Sequence, residues 1–320
     1  MTLVDSARGT YADLHARIER FFASEFSTDN PVITEAIKRM LAAGGKRLRP
    51  RIALLAVDAC GGSSGGQLHL AAYMELIHVA TLIHDDIVDN AQTRRGVNAT
   101  AVDYGNRVSV LAGDYLFAWI FRNVTLNYPH PVPNILSATL ADICDGEVLQ
   151  LQALGNLDLP IGAYLEIARK KTGSLFAASA ACGAIMGGGS SLDIAALREF
   201  GECFGIAFQM KDDLLDVTAD ERSLGKPAAN DLLERKTTLP LIEALASGDG
   251  DFRAQVRRFY DAGPNTAIPA IVDGIAREGG LTATRAQIAR FVDRAKTALE
   301  PIAGGTAKKE LAKLTDALLD

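Results

Sequence analysis

The stretch Glu75-Leu-Ile-His-Val-Ala-Thr-Leu-Ile-His-Asp-Asp-Ile-Val-Asp-Asn-Ala-Gln-Thr-Arg-Arg-Gly96 decides the fold class and opens the question of chemistry. Its apolar residues Leu76, Val79, Leu82 and Ile83 recur at three- and four-residue spacing, the period of a helix. The run ends on Asp85-Asp86-Ile87-Val88-Asp89, so the spacing predicts an apolar helix that terminates in acid. Residues four apart share a helix face, and Asp85 and Asp89 can therefore point together. The same pattern returns as Asp212-Asp213-Leu214-Leu215-Asp216, after the apolar stretch from Phe204 to Met210. Like charges so placed repel and call for a counter-charge. Hard divalent ions with oxygen ligands suit that role, and Mg²⁺ takes one or two carboxylates and completes its shell with water and phosphate. A lone DDxxD is as readily a solvated acidic face, since acids are mostly exposed. Two copies, each closing an apolar run, favour two walls of one site.

The helical period extends outward from there. Leu14, Ile18 and Phe21 carry it, as do Ile52, Leu55, Ala56 and Ala59. Alternating strand patterns are scarce. Breakers cluster at residues 61–66, Pro129 to Pro133, Gly187 to Ser191 and Gly263-Pro264, where inter-helix loops are expected. None is long or polar enough for a domain linker, so the expectation is a single all-α domain over residues 1–320. The uncharged stretch from Thr172 to Leu192 approaches membrane-spanning length, but it holds five Gly and four Ser and no sustained run of large apolar residues. Close packing of small residues in a helical core is the expected reading.

A chain of 320 residues with 48% hydrophobic residues can bury a large core. A formal net charge of −6 gives no general attraction for nucleic acid, so any anion site must be local. Cys60, Cys144, Cys182 and Cys203 stand singly, without metal-ligand spacing, and read as reduced core residues. The N-terminal residues show no apolar h-region, which gives the expectation of a cytoplasmic protein without leader or anchor. A water-insoluble product would still allow peripheral membrane contact at release.

Local cations are present in separate clusters. Arg94-Arg95-Gly96 follows the first acidic motif, and Gly44-Gly45-Lys46-Arg47-Leu48-Arg49-Pro50 precedes it. Guanidinium forks suit phosphate oxygens bidentately, whereas lysine offers a point charge. The Gly-Gly-Lys is not a P-loop, because the spacing and the preceding strand are missing. Lys171-Thr172 lies between the motifs; Gly225-Lys226-Pro227 and Glu234-Arg235-Lys236-Thr237-Thr238 follow the second. His78, seven residues before Asp85, sits about two turns away on nearly the same face. Each feature alone is ordinary surface charge or a core histidine. Together they suggest two diphosphates, one held through metal and one held directly.

These residues resemble the trans-isoprenyl diphosphate synthase (polyprenyl synthetase) family from about Gly44 to beyond Pro240. The segments GGKRLRP, ELIHVATLIHDDIVDNAQTRRG, GNRVSVLAGD, GEVLQLQ, KTGSLFAA, FGIAFQMKDDLLD and GKP…DLLERKTTLP stand in the family's order and look most like its long-chain, octaprenyl-type members. The resemblance implies about a dozen antiparallel helices around a central cavity, usually as a homodimer. It implies that Lys46, Arg49, His78 and Arg95 bind isopentenyl diphosphate. Arg94, Lys171, Thr172, Gln209, Lys226 and Lys236 would face the allylic diphosphate or the developing cation. Asp85, Asp89 and Asp212 would bind Mg²⁺, three ions bridging to the allylic diphosphate, with Asp86, Asp213 and Asp216 in support. Ala80 and Thr81, five and four residues before Asp85, are small where short-chain members tend to place an aromatic floor, which implies a C30 to C50 product. Two departures stand out: Arg235 replaces the family's usual Gly, and the C-terminal LAKLTDALLD lacks a basic ending.

The implied activity is Mg²⁺-dependent condensation of isopentenyl diphosphate with an allylic diphosphate. Its competitors are a short-chain farnesyl or geranylgeranyl synthase, a class I terpene cyclase and a non-catalytic subunit of a heteromeric synthase. A cyclase would replace the second motif by an NSE/DTE-type sequence, and a non-catalytic subunit tends to lose motif aspartates or arginines. This chain retains both sets.

Overall fold

A computed structural model describes residues 15–63, 67–94, 96–218, 229–248, 250–262 and 268–320. The described residues are helical nearly throughout. Helices α1 (Pro31–Ala42), α2 (Leu48–Ala59), α3 (Leu68–Val88) and α4 (Thr100–Asn127) are followed by α5 (Pro131–Gln152), α6 (Ile161–Ala168), α7 (Ser174–Met186) and α8 (Ser191–Thr218). Then come α9 (Asn230–Leu233), α10 (Leu239–Ser247), α11 (Gly250–Ala262), α12 (Ile268–Arg277), α13 (Gly280–Ala298) and α14 (Thr306–Asp316). Among the described residues the only strands are β1 (Thr93–Arg94) and β2 (Val97–Asn98), an antiparallel pair between α3 and α4.

The chain forms two compact units. The first comprises residues 1–138, 175–201 and 299–312; the second comprises 139–174, 202–298 and 313–320. In the first, α3 is buried on every side along most of its length, with Leu70, Met74, Leu76, Ile77, Val79 and Ile83 all inaccessible. Such a helix belongs in the middle of a core rather than on a surface. It packs against α2 and α4. Gly183 and Gly187 of α7 meet α2 backbone to backbone: a Cβ on them would lie 2.2 Å from the Ala53 carbonyl oxygen and 2.5 Å from that of Val57. The small-residue stretch is thus a tight helix contact, as its composition implies. No described helix is long and apolar enough to cross a membrane.

The core of the second unit gathers Leu232, Leu241, Phe252, Val256, Phe259, Ile271 and Ile275. The expected loop at Pro129 to Pro133 is shorter than its prolines suggest. Pro131 and Pro133 lie in the first turn of α5, where no intrahelical N–H is required. No disulfide joins any of the four cysteines, and Cys182 and Cys203 are buried, but Cys144 is exposed on α5 rather than in the core. Gly263-Pro264 and residues 64–66 lie outside the described residues.

Candidate active site

Helix α3 ends within its acidic motif for a local reason. Asn90 adopts φ +51°, the Ala91 N–H donates to the Asp86 carbonyl at 2.8 Å and the Asn90 N–H to that of Ile87 at 3.3 Å. This is a Schellman cap, in which a residue able to adopt the left-handed conformation closes the last turn. Asp85 and Asp89 are partly exposed beside that end, while Asp86 turns inward and is 1% exposed. Arg94 of β1 donates to Asp86 Oδ1 from Nε at 2.7 Å and Nη2 at 2.5 Å, and Asp86 Oδ2 is buried without a hydrogen-bond partner. Burial raises the Asp86 pKa, and Arg94 offsets part of that rise. Gly113 of α4 lets the two helices close up beside the motif, since a Cβ there would stand 2.3 Å from His84 Nε2.

The other sequence-selected residues of the first unit lie on α3 and in the loop and first turn of α2. His78 is partly exposed on α3, and its carbonyl accepts the Thr81 hydroxyl at 2.8 Å. Ala80 is fully buried, whereas Thr81 is partly exposed. Phe117 lies beside His84, with ring centroids 5.7 Å apart, and Trp119 packs edge-on against Tyr73 and Phe26. Lys46 is exposed in the loop before α2, and the Arg49 guanidinium lies 4.4 Å from the Phe176 ring centroid. Arg95 lies outside the described residues.

The second unit repeats the division of labour within a motif. Asp212 is exposed at the α8 surface, but Asp213 and Asp216 are buried. The i, i+4 spacing placed Asp212 and Asp216 on one face, yet Asp216 Oδ2 accepts the Asp231 backbone N–H at 3.0 Å from the start of α9. Asp213 accepts the Tyr164 hydroxyl at 2.6 Å and Gln209 Nε2 at 2.8 Å, and Gln209 Oε1 accepts the Thr172 hydroxyl at 2.7 Å. Burial pushes the Asp213 carboxyl up to about 6 and holds the Tyr164 phenol well above its ordinary range. Gln209, Asp213, Tyr164, Lys171 and Lys236 line one pocket of this unit. Sequence reading overlooked Tyr164; a tyrosine seven residues before Lys171, two helical turns on the same face, was the signal available.

Lys171 and Thr172 stand on a π-turn, Arg169–Gly173, between α6 and α7. Such turns are rare and concentrate at functional sites. The widened turn nests on Gly146 of α5, and Lys171 pairs with Glu147 and donates to Gln150 Oε1 at 2.7 Å. The GEVLQLQ segment thus supplies both the space and the partners for Lys171. Lys236 pairs with Glu234 at 2.5 Å. Arg235 before it has φ +59°, its carbonyl accepts the Gly155 N–H at 2.8 Å, and its guanidinium donates to the Tyr260 carbonyl. A backbone in this region favours glycine, which is the residue the resemblance leads one to expect there. Lys226 lies outside the described residues.

The donor set suits a hard cation: carboxylates dominate both motifs, and Asp86 keeps a buried oxygen without a partner. Among the described residues no three Asp, Glu, His or Cys side chains converge on a metal position by themselves. An ion at either motif would complete its shell with water and phosphate.

In each unit an acidic motif is accompanied by cationic side chains, Arg94 in the first and Lys171 and Lys236 in the second, a set of groups suited to a metal-bound diphosphate. The polyprenyl synthetase family model matches residues 30–273. The chain is 38% identical to the short chain isoprenyl diphosphate synthase of Methanothermobacter thermautotrophicus over 90% of each protein. The crystal structure of a decaprenyl diphosphate synthase from Rhodobacter capsulatus superposes with a TM-score of 0.91 at 36% identity, covering 98% of both chains. A polyprenyl synthase from Caulobacter crescentus, complexed with calcium and isoprenyl diphosphate, gives 0.92 at 35% identity over 99% of this chain and 98% of that one. The chain therefore belongs to the polyprenyl synthetase family and is a trans-prenyltransferase, a polyprenyl diphosphate synthase with the isoprenoid synthase fold. The family acts on isopentenyl and allylic diphosphates with a divalent metal.

Proposed function

We propose that this synthase works as a single catalytic domain, uses Mg²⁺ and extends an allylic primer to a long product of C30 to C50. The observation that carries the length is the pair Ala80 and Thr81, small side chains one turn before the acidic end of α3, with Thr81 partly exposed. The decaprenyl synthase likeness supports the same reading.

Asp85, Asp89 and Asp212 are the exposed or partly exposed carboxylates of the two motifs and would hold Mg²⁺ at the allylic diphosphate. When bound, Mg²⁺ neutralises diphosphate charge and makes it a better leaving group. Asp86, Asp213 and Asp216 orient the motifs through Arg94, Tyr164 with Gln209, and the Asp231 amide. Lys171, Arg94, Lys236 and Lys226 add positive charge toward the departing diphosphate. Thr172 and Gln209 present oxygen atoms that stabilise the developing allylic cation. Lys46, Arg49, His78 and Arg95 hold isopentenyl diphosphate so that its double bond meets that cation, and the proton then lost goes to the released diphosphate. Holding the two substrates together supplies much of the acceleration. Homodimer assembly and peripheral membrane contact at release belong to the same proposal.

The test is product length. Thr81→Phe places a ring beside the growing chain and should shorten the products, with early condensations largely preserved; Ala80→Phe does the same from a fully buried position at greater cost to packing. A wild-type enzyme that stops at C15 or C20, or a Thr81→Phe variant with unchanged products, would overturn the length assignment.

A further inference from the structure

The segment from Lys46 to Arg49 contains three cations, and the middle one points inward. Arg47 is 3% exposed, and all three guanidinium nitrogens donate hydrogen bonds. Nε donates to Glu19 Oε1 at 2.7 Å, Nη1 to Glu75 Oε1 at 2.9 Å, and Nη2 to the Leu41 carbonyl at 2.8 Å and Glu19 Oε2 at 3.4 Å. Its carbon also lies 5.1 Å from the Phe22 ring centroid. Lysine could not reproduce this, because only the planar fork reaches three partners in fixed directions.

The backbone at this point is unusual. Gly44 and Gly45 have φ of +77° and +150°, and Arg47 itself sits at φ +46° while serving as the N-cap of α2. A non-glycine residue in the left-handed region persists only where its surroundings over-determine it. The surroundings here are the two carboxylates and the Leu41 carbonyl. Burying charge is a poor route to stability, since an apolar replacement of similar volume is often neutral or better. The arrangement fits a device that fixes loop geometry.

We propose that Arg47, clamped by Glu75 and Glu19, is a positioning residue for the isopentenyl diphosphate subsite. It locks the loop into one conformation, so that Lys46 on one side and Arg49 on the other are presented together. This rests on the reading of Lys46 and Arg49 as ligands of that diphosphate. Glu75 of α3 lies ten residues before Asp85 on the same helix, so the clamp also ties the loop to the helix that bears the first acidic motif.

The experiment measures KM for each substrate, kcat and thermal stability in Arg47→Lys, in Glu75→Gln and in the double variant Arg47→Met with Glu75→Leu. Lys46→Ala and Arg49→Ala serve as references. The clamp predicts that Glu75→Gln and Arg47→Lys raise KM for isopentenyl diphosphate about tenfold or more, with kcat and the allylic KM within about twofold. The double variant removes both buried charges. It should recover thermal stability relative to the single changes while its KM for isopentenyl diphosphate stays high, a split that a merely structural role would not give. Equal changes for both substrates, or a double variant with normal KM, would overturn the proposal. Should Arg47→Lys fail to fold, Glu75→Gln and the double variant decide the question. If Lys46→Ala and Arg49→Ala leave that KM unchanged, the subsite reading itself fails, and the clamp with it.

Discussion

Gly146→Ala is the perturbation whose consequence follows most directly from the geometry. An added Cβ would stand 2.7 Å from the Lys171 backbone nitrogen and 2.9 Å from Lys170 Cβ. Ordinary contacts lie at about 3.5–4.0 Å, so α5 and the π-turn must separate by roughly 1 Å. The closest obstacle is backbone, and no flexible side-chain tip can swing away to relieve it. Overpacking of this kind costs about 1–3 kcal/mol, and the better helix propensity of Ala returns about 1 kcal/mol. Net destabilisation should therefore be about 0–2 kcal/mol, a fall in Tm of a few degrees. Catalysis should suffer more. Lys171 and Thr172 ride on the displaced turn, and a misplacement of about 1 Å can cost on the order of a hundredfold in rate. The assay is steady-state kinetics beside thermal unfolding, with Gly162→Ala as control, because a Cβ at Gly162 meets nothing within 4 Å. A Gly146→Ala enzyme with kcat within about twofold of wild type would refute the link between this glycine and the π-turn.

Asp85→Ala or Asp212→Ala should lower kcat by orders of magnitude while circular dichroism stays helical; near-normal turnover in either variant would remove the motif from the chemistry. Arg235→Gly should be more stable than Arg235→Ala by about 1 kcal/mol in denaturant unfolding, because both lose the bond to the Tyr260 carbonyl but only Ala retains the left-handed strain at φ +59°. Burial pushes the Cys60 thiol up to about 11 and the Cys182 thiol up to about 12, so both hold less thiolate at pH 8 than an ordinary cysteine; exposed Cys144 should be alkylated first when labelling is followed by mass spectrometry.

Periodicity made the helices legible, and the two acidic motifs could be placed at helix ends because both effects are local. Residues four apart share a face whatever the tertiary context, and an apolar run must find a core. The sequence could not distribute burial inside each motif. Asp86 and Asp213 turn inward because Arg94, eight residues on, and Tyr164, forty-nine residues back, provide their partners. Only the fold brings Tyr164 to Asp213. Arg47 was hidden for a similar reason: in a run of three cations, nothing local says which one meets Glu75 and Glu19. Gly146 looked like part of a recognition segment, whereas its function is steric and appears only when the π-turn is in place. The reverse held for Arg235. Its departure from an expected glycine was visible in the sequence, and the structure explains it through a positive φ that glycine adopts without strain.

Metal-dependent chain elongation can be read directly by incubating the purified protein with labelled isopentenyl diphosphate and a short allylic diphosphate, with Mg²⁺ or with excess chelator, and sizing the extracted products. Successive incorporation into linear diphosphates of C30 to C50 is expected with Mg²⁺ and none with chelator. Full incorporation in chelator, cyclised hydrocarbon in place of linear diphosphate, or no incorporation with any allylic primer would contradict it.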